Sequence, residues 1–141
     1  MSNALKLPCY CATLRQATRA LTTLYDKHLS AAGVKVTQFG IMQALEYMGR
    51  ARNRDLEGAL TIDQTTLTRN LALLARERLI EVVGRPSGRE KAWGLTPSGS
   101  ELMAKAKPLW EKAQTEVRSR IGARQTRSLH GDLFELVSAI T

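Results

Sequence analysis

A change of hydrophobic period near residue 79 constrains this chain most. Over residues 63–74, Leu67, Leu71 and Leu74 recur at i, i+4 and i+7, with Leu73 beside them, the spacing of one buried helix stripe. Beyond Arg78 the period drops to two. Ile80, Val82 and Gly84 alternate with Glu81, Val83 and Arg85, and residues 92–95 supply a partner strand. Between them, Arg85-Pro86-Ser87-Gly88-Arg89-Glu90-Lys91 reads as a turn, because Pro, Ser and Gly set its backbone. Its arginines and lysine make it a basic hairpin. A short helix followed by a basic two-stranded ribbon is the plan of a winged helix.

The face of the 63–74 helix opposite its leucines is polar. Gln64, Thr65, Thr68 and Arg69 project from its first two turns. Short hydroxyl and amide side chains let a helix approach a surface closely, which suits the DNA major groove, where base edges offer donors, acceptors and a thymine methyl. An ordinary surface helix would show the same residues, so its neighbours carry the distinction. Arg50, Arg52 and Arg54 cluster just ahead of it, before a short helix expected over residues 55–60. Thr61 or Asp63 is the expected N-cap of the 63–74 helix, with Thr61 and Gln64 at capping-box spacing.

Apolar helices flank this unit on both sides. Residues 5–32 form the first, started at Pro8 and stopped at Gly33, with Leu14, Ala17, Leu21, Leu24, Tyr25 and Leu29 as its stripe. A second helix is expected from an N-cap at Thr37 to Gly49, with Phe39, Met42, Leu45 and Met48 inward. Thr96-Pro97 restarts a helix, Pro being harmless at the first helical position. Leu102, Ala106, Leu109, Trp110, Ala113, Val117 and Ile121 track one face of it, and Pro108 is expected to bend it near residues 104–107. A last helix over residues 124–140 carries Leu129, Leu133, Leu136, Val137 and Ile140. First and last helices that extend well beyond a small reading head are best explained by a second subunit. The organisation is therefore one compact chain, with residues 1–34 and 101–141 as a helical dimerisation region and residues 35–100 as the winged helix-turn-helix.

Charge agrees with an anionic partner. The 141 residues carry a net +8, spread as +3, +3 and +2 over residues 1–49, 50–91 and 92–141, so the excess favours nucleic acid without locating the site. No apolar run reaches membrane-span length and no signal peptide opens the chain, so a soluble, cytoplasmic protein is expected, with no membrane partner. The two cysteines are too few for a disulfide framework.

The ordered set of Asp63-Gln64-Thr65-Thr66-Leu67-Thr68-Arg69, Leu79-Ile80, and Arg89 followed by Leu95-Thr96-Pro97-Ser98-Gly99 resembles the multiple antibiotic resistance regulator (MarR) family. The resemblance runs from about residue 9 to 140. It implies a mainly α homodimeric winged-helix repressor with long N- and C-terminal dimerisation helices and a small β-hairpin wing. Its partner would be double-stranded DNA, bound at a pseudo-palindromic operator and released by a small aromatic or apolar effector. Thr65, Thr66, Thr68 and Arg69 would meet bases or nearby phosphates, and Arg89 would be the wing arginine. Arg50, Arg52, Arg54, Gln64, Arg85, Ser87 and Lys91 complete the expected DNA-binding set. At Ser87 the chain departs from the family, which usually has Asp two residues before the wing arginine. A hydroxyl there supplies no charge, so a looser wing is expected.

Effector-lining candidates are Tyr10, Leu14, Phe39, Met42 and Trp110, whose plainer reading is core. Cys11 precedes Tyr25 by fourteen residues, a spacing similar to that of the sensing cysteine and a supporting tyrosine in the family's organic hydroperoxide branch. That makes a thiol-based peroxide-sensing repressor an alternative, although the branch's second tyrosine is Arg15 here. A third reading is a basic helical dimer that binds a protein or small molecule without reading DNA. An enzyme is not expected. His28 and His130 are isolated, there is no HExxH, paired CxxC or glycine-rich phosphate loop, and neither a metal nor a cofactor is implied.

Overall fold

In the computed structural model, which describes residues 2–85 and 88–141, six helices surround a small antiparallel sheet. Helix α1 spans Tyr10–Leu29 and continues through a 3-10 turn, Ser30–Ala32, to Gly33, whose φ of 71° ends the run. It starts later than residue 5 because Cys9 is the N-cap, its Sγ accepting from Ala12 N–H at 3.4 Å. Helix α2 (Val36–Met48) begins one residue before the expected cap, Thr37. Asp26 of α1 accepts the Val36 N–H at 2.8 Å, and the Gln38 side chain accepts the Lys35 N–H at 3.1 Å. A cap supplied by another helix leaves no local sequence signal.

Strand β1 (Ala51–Arg52), helix α3 (Asn53–Leu60) and helix α4 (Gln64–Arg76) follow. Of the two candidate caps for α4, Asp63 fills the role, its Oδ2 accepting from Thr66 N–H at 2.9 Å. Thr61 instead ends α3 at φ 49°. Strand β2 (Ile80–Gly84) and strand β3 (Ala92–Leu95) pair with Ile80 opposite Leu95 and Val82 opposite Trp93, with a register irregularity between Val82 and Gly84. The expected two-stranded ribbon is a three-stranded sheet of order β1-β3-β2, with Ala51 opposite Trp93. Two residues are too short a run to show strand alternation, so β1 was not legible.

Helix α5 (Pro97–Ile121) is capped by Thr96, which accepts from Gly99 N–H at 3.0 Å, and continues across Pro108. Helix α6 (Ala123–Ile140) turns off it at Gly122, φ 97°. The core lies where α2, α3 and α4 meet α5 and the sheet: Phe39, Met42, Leu45, Leu56, Leu67, Leu71, Leu74 and Met103 are each at most 2 % exposed. The leucine stripe of α4 is thus the inner face that fixes its outer one. No side chain of α6 is buried. Among the described residues, no helix is long and apolar enough to cross a membrane.

Candidate nucleic-acid interface

Burying Leu67, Leu71 and Leu74 turns the opposite side of α4 outward. Gln64, Thr65, Thr68 and Arg69 are exposed, whereas Thr66 is half-buried. The Thr66 N–H is held by Asp63 and its carbonyl accepts from Asn70 Nδ2 at 2.9 Å, so the first turn is anchored at both ends. Hydrogen bonding to Thr66 also holds the Asp63 carboxyl below its ordinary value, keeping the cap ionised.

Beside α4 a groove of about 600 Å³ opens between α3, α4 and the base of the wing, lined by Arg54, Thr68, Arg89, Glu90, Lys91 and Trp93 among others. The wing is tied to α3 from two sides. Trp93 Nε1 donates to Asn53 Oδ1 at 2.8 Å, while within the wing itself Lys91 Nζ lies 5.8 Å from the centre of the Trp93 ring. Arg52 makes a bidentate pair with Asp55, Nε to Oδ2 at 2.9 Å and Nη2 to Oδ1 at 3.0 Å, and reaches Glu90 Oε2 at 3.3 Å. Arg54 Nη2 meets the same Glu90 oxygen at 3.2 Å. Hydrogen bonds from the Arg52 side chain and backbone lower the Asp55 carboxyl to about 2.

The expected DNA-binding residues therefore divide. Gln64, Thr65, Thr68, Arg69, Arg50, Arg85, Arg89 and Lys91 are exposed, Arg54 is exposed but paired, and Arg52 is half-buried between two carboxylates. Arg85 Nη1 donates to the Arg89 carbonyl at 3.1 Å, closing the hairpin base. Ser87 lies outside the described residues. Sequence reading missed Asn53, Glu90 and Trp93; the only available signal was their position within or beside the two basic segments.

The effector candidates do not gather in one place. Phe39 and Trp110 stack at 5.8 Å and line a groove of about 370 Å³ with Gln43, Tyr47 and Met103, whereas Met42 is wholly buried. Tyr10 and Leu14 line a separate apolar groove against Leu136 and Ile140 of α6. Cys11 is exposed near the start of α1, and Tyr25 hydrogen-bonds Gln114 of α5. Fourteen residues of helix separate them by about 21 Å, so a thiol–tyrosine contact requires a second chain. Among the described residues no group of three or more His, Cys, Asp and Glu side chains could hold a metal ion.

An outward polar helix packed beside a cationic three-stranded wing defines a winged helix-turn-helix regulator. Solved structures agree. The M. tuberculosis transcriptional regulator MosR, in complex with DNA, is 31% identical over 93% of this chain and 97% of that one, with a TM-score of 0.79. An E. coli MarR variant complexed with operator DNA shares the fold at 19% identity, 89% and 91% coverage and a TM-score of 0.80. Bordetella bronchiseptica BpsR does so at 20% identity, 97% and 99% coverage and 0.83. No family model and no curated protein matches the sequence. The chain belongs to the MarR family of winged-helix transcriptional regulators.

Proposed function

We propose that this regulator is a homodimeric repressor that reads a pseudo-palindromic operator through α4 and is released by a small effector. The observation that carries the DNA-reading role is the outward face of Gln64, Thr65, Thr68 and Arg69 set beside a groove holding Arg54, Arg89 and Lys91. DNA-bound MosR and MarR support it. The dimer reading is supported by α6, whose Phe134 and Ile140 are 68 % and 76 % exposed, a face that a second copy would cover. Two α4 helices on a two-fold axis then require inverted half-sites one helical turn apart.

The effector reading is supported by the aromatic-lined groove at Phe39 and Trp110, and by BpsR, whose DNA binding is regulated by 6-hydroxynicotinic acid. An effector acts only through its differential affinity for the two states of the dimer. Sedimentation at micromolar concentration combined with selection of bound duplexes from a random library tests the proposal. A dimer that enriches an inverted repeat supports it; a monomer, or a library returned unenriched, refutes it.

A further inference from the structure

The groove beside α4 contains one group of the wrong sign for a DNA surface. Glu90 sits between Arg89 and Lys91 in sequence, yet its carboxylate turns toward α3. Its Oε2 lies 3.3 Å from Arg52 Nη1 and 3.2 Å from Arg54 Nη2, so one oxygen is shared by two guanidinium groups. Arg52 is already saturated by Asp55 on its Nε and Nη2. The Arg54 side chain remains 60 % exposed while it is held. An oxyanion bridging two guanidiniums makes the same kind of charge-assisted contact that a phosphate oxygen makes. With Arg52, Arg54, Asp55 and Glu90 together, two positive and two negative charges cancel at the rim of an otherwise basic groove.

We infer that Glu90 is a specificity-setting residue that stands in for a DNA phosphate, occupying Arg54 and Arg52 so that the groove does not hold duplex DNA of every sequence. The inference rests on the DNA-reading role proposed above. Nonspecific affinity comes essentially from phosphate neutralisation, whereas specific affinity adds base contacts. Withdrawing a cation from the groove therefore costs nonspecific binding proportionately more. The contact also holds the base of the wing against α3, beside the Trp93–Asn53 bond, so the alignment of Arg89 is kept. Substituting Glu90 by the isosteric amide separates these two roles. The amide keeps an oxygen that can accept from Arg52 and Arg54, and the side chain's volume, but removes the negative charge that competes with phosphate for Arg54.

The test compares wild type, Glu90→Gln, and Glu90→Gln combined with Arg54→Gln. Two probes are used, a 30-bp duplex of random sequence and a duplex selected by the wild type from a random library, across a range of salt concentrations. Glu90→Gln is expected to bind the random duplex about tenfold more tightly at low salt. Its log affinity should fall with log salt more steeply, by about 0.9 for each phosphate newly contacted. The ratio of selected to random affinity should fall, and the double variant should restore the wild-type slope. Unchanged or weaker binding of the random duplex by Glu90→Gln would overturn the inference and leave Glu90 as a wing brace only. A wild type that binds neither duplex would instead overturn the DNA-reading role on which it rests.

Discussion

Trp93 Nε1 donates a 2.8 Å hydrogen bond to Asn53 Oδ1, joining the middle strand of the sheet to the first residue of α3. Both side chains are half-buried, and the bond fixes the wing relative to the helix-turn-helix. Trp93→Phe removes the donor while keeping an aromatic ring opposite Val82 and Ala51. A loss of about 1 kcal/mol is expected, read as a melting temperature lower by about 3 °C. A larger effect is expected on affinity for selected DNA, because the wing loses its register.

Gly99 lies in the first turn of α5, where helix propensity favours alanine by about 1 kcal/mol. A Cβ there would stand 2.1 Å from the Leu79 carbonyl oxygen, a backbone atom that cannot swing aside. Gly99→Ala is therefore expected to destabilise by about 2 kcal/mol in chemical denaturation, the cost of overpacking exceeding the gain in propensity. Increased stability would show that the α4–β2 turn yields.

Acid should weaken the fold through three carboxylates. Hydrogen bonding to Arg52 lowers Asp55 to about 2, bonding to Thr66 lowers Asp63, and bonding to His28 lowers Glu116. Each folded value lies below the unfolded one. Their stabilisation is thus complete above about pH 5 and lost as pH falls through about 4 toward 2. Melting temperatures measured from pH 2 to 7 should be flat at the upper end and fall below about 4. Asp55→Asn should flatten part of that acid limb; an unchanged limb would contradict the assignment.

Arg89 lines the groove that Thr68 also lines, and Arg69 is exposed on α4 next to Thr68. Arg69→Ala and Arg89→Ala are each expected to weaken binding to selected DNA about tenfold or more, on the order of 1–3 kcal/mol. A base contact and a phosphate contact separate on their salt dependence, since losing a phosphate contact makes the slope shallower by about 0.9. Melting temperatures should be unchanged, because neither guanidinium supports the core.

Much of this architecture was legible because it is written in local periodicity. The α4 leucine stripe, the shift to alternation at Ile80 and the Thr96-Pro97 restart each place an element within two residues of its observed bounds. What escaped depends on contacts between distant residues. Strand β1 consists of two residues and exists only through pairing with Trp93 and Ala92, and the start of α2 is capped by Asp26, ten residues upstream. Within the interface, the outward face of α4 followed from its stripe. The division of the arginines did not. Arg52 and Arg54 look equivalent in sequence and both reach the same oxygen of Glu90, a residue thirty-eight positions beyond Arg52, so it is the Asp55 pair made by Arg52 that distinguishes them. The spread of the effector candidates has the same origin, since Tyr10 and Phe39 share an apolar character but not a cavity.

Hydroxyl-radical footprinting of the wild-type protein on duplexes that it selects from a random library bears most directly on the claim that paired α4 helices read DNA. Two protected, inverted half-sites with centres roughly 10 bp apart are expected. Uniform protection of any duplex, or a single isolated patch, would contradict it.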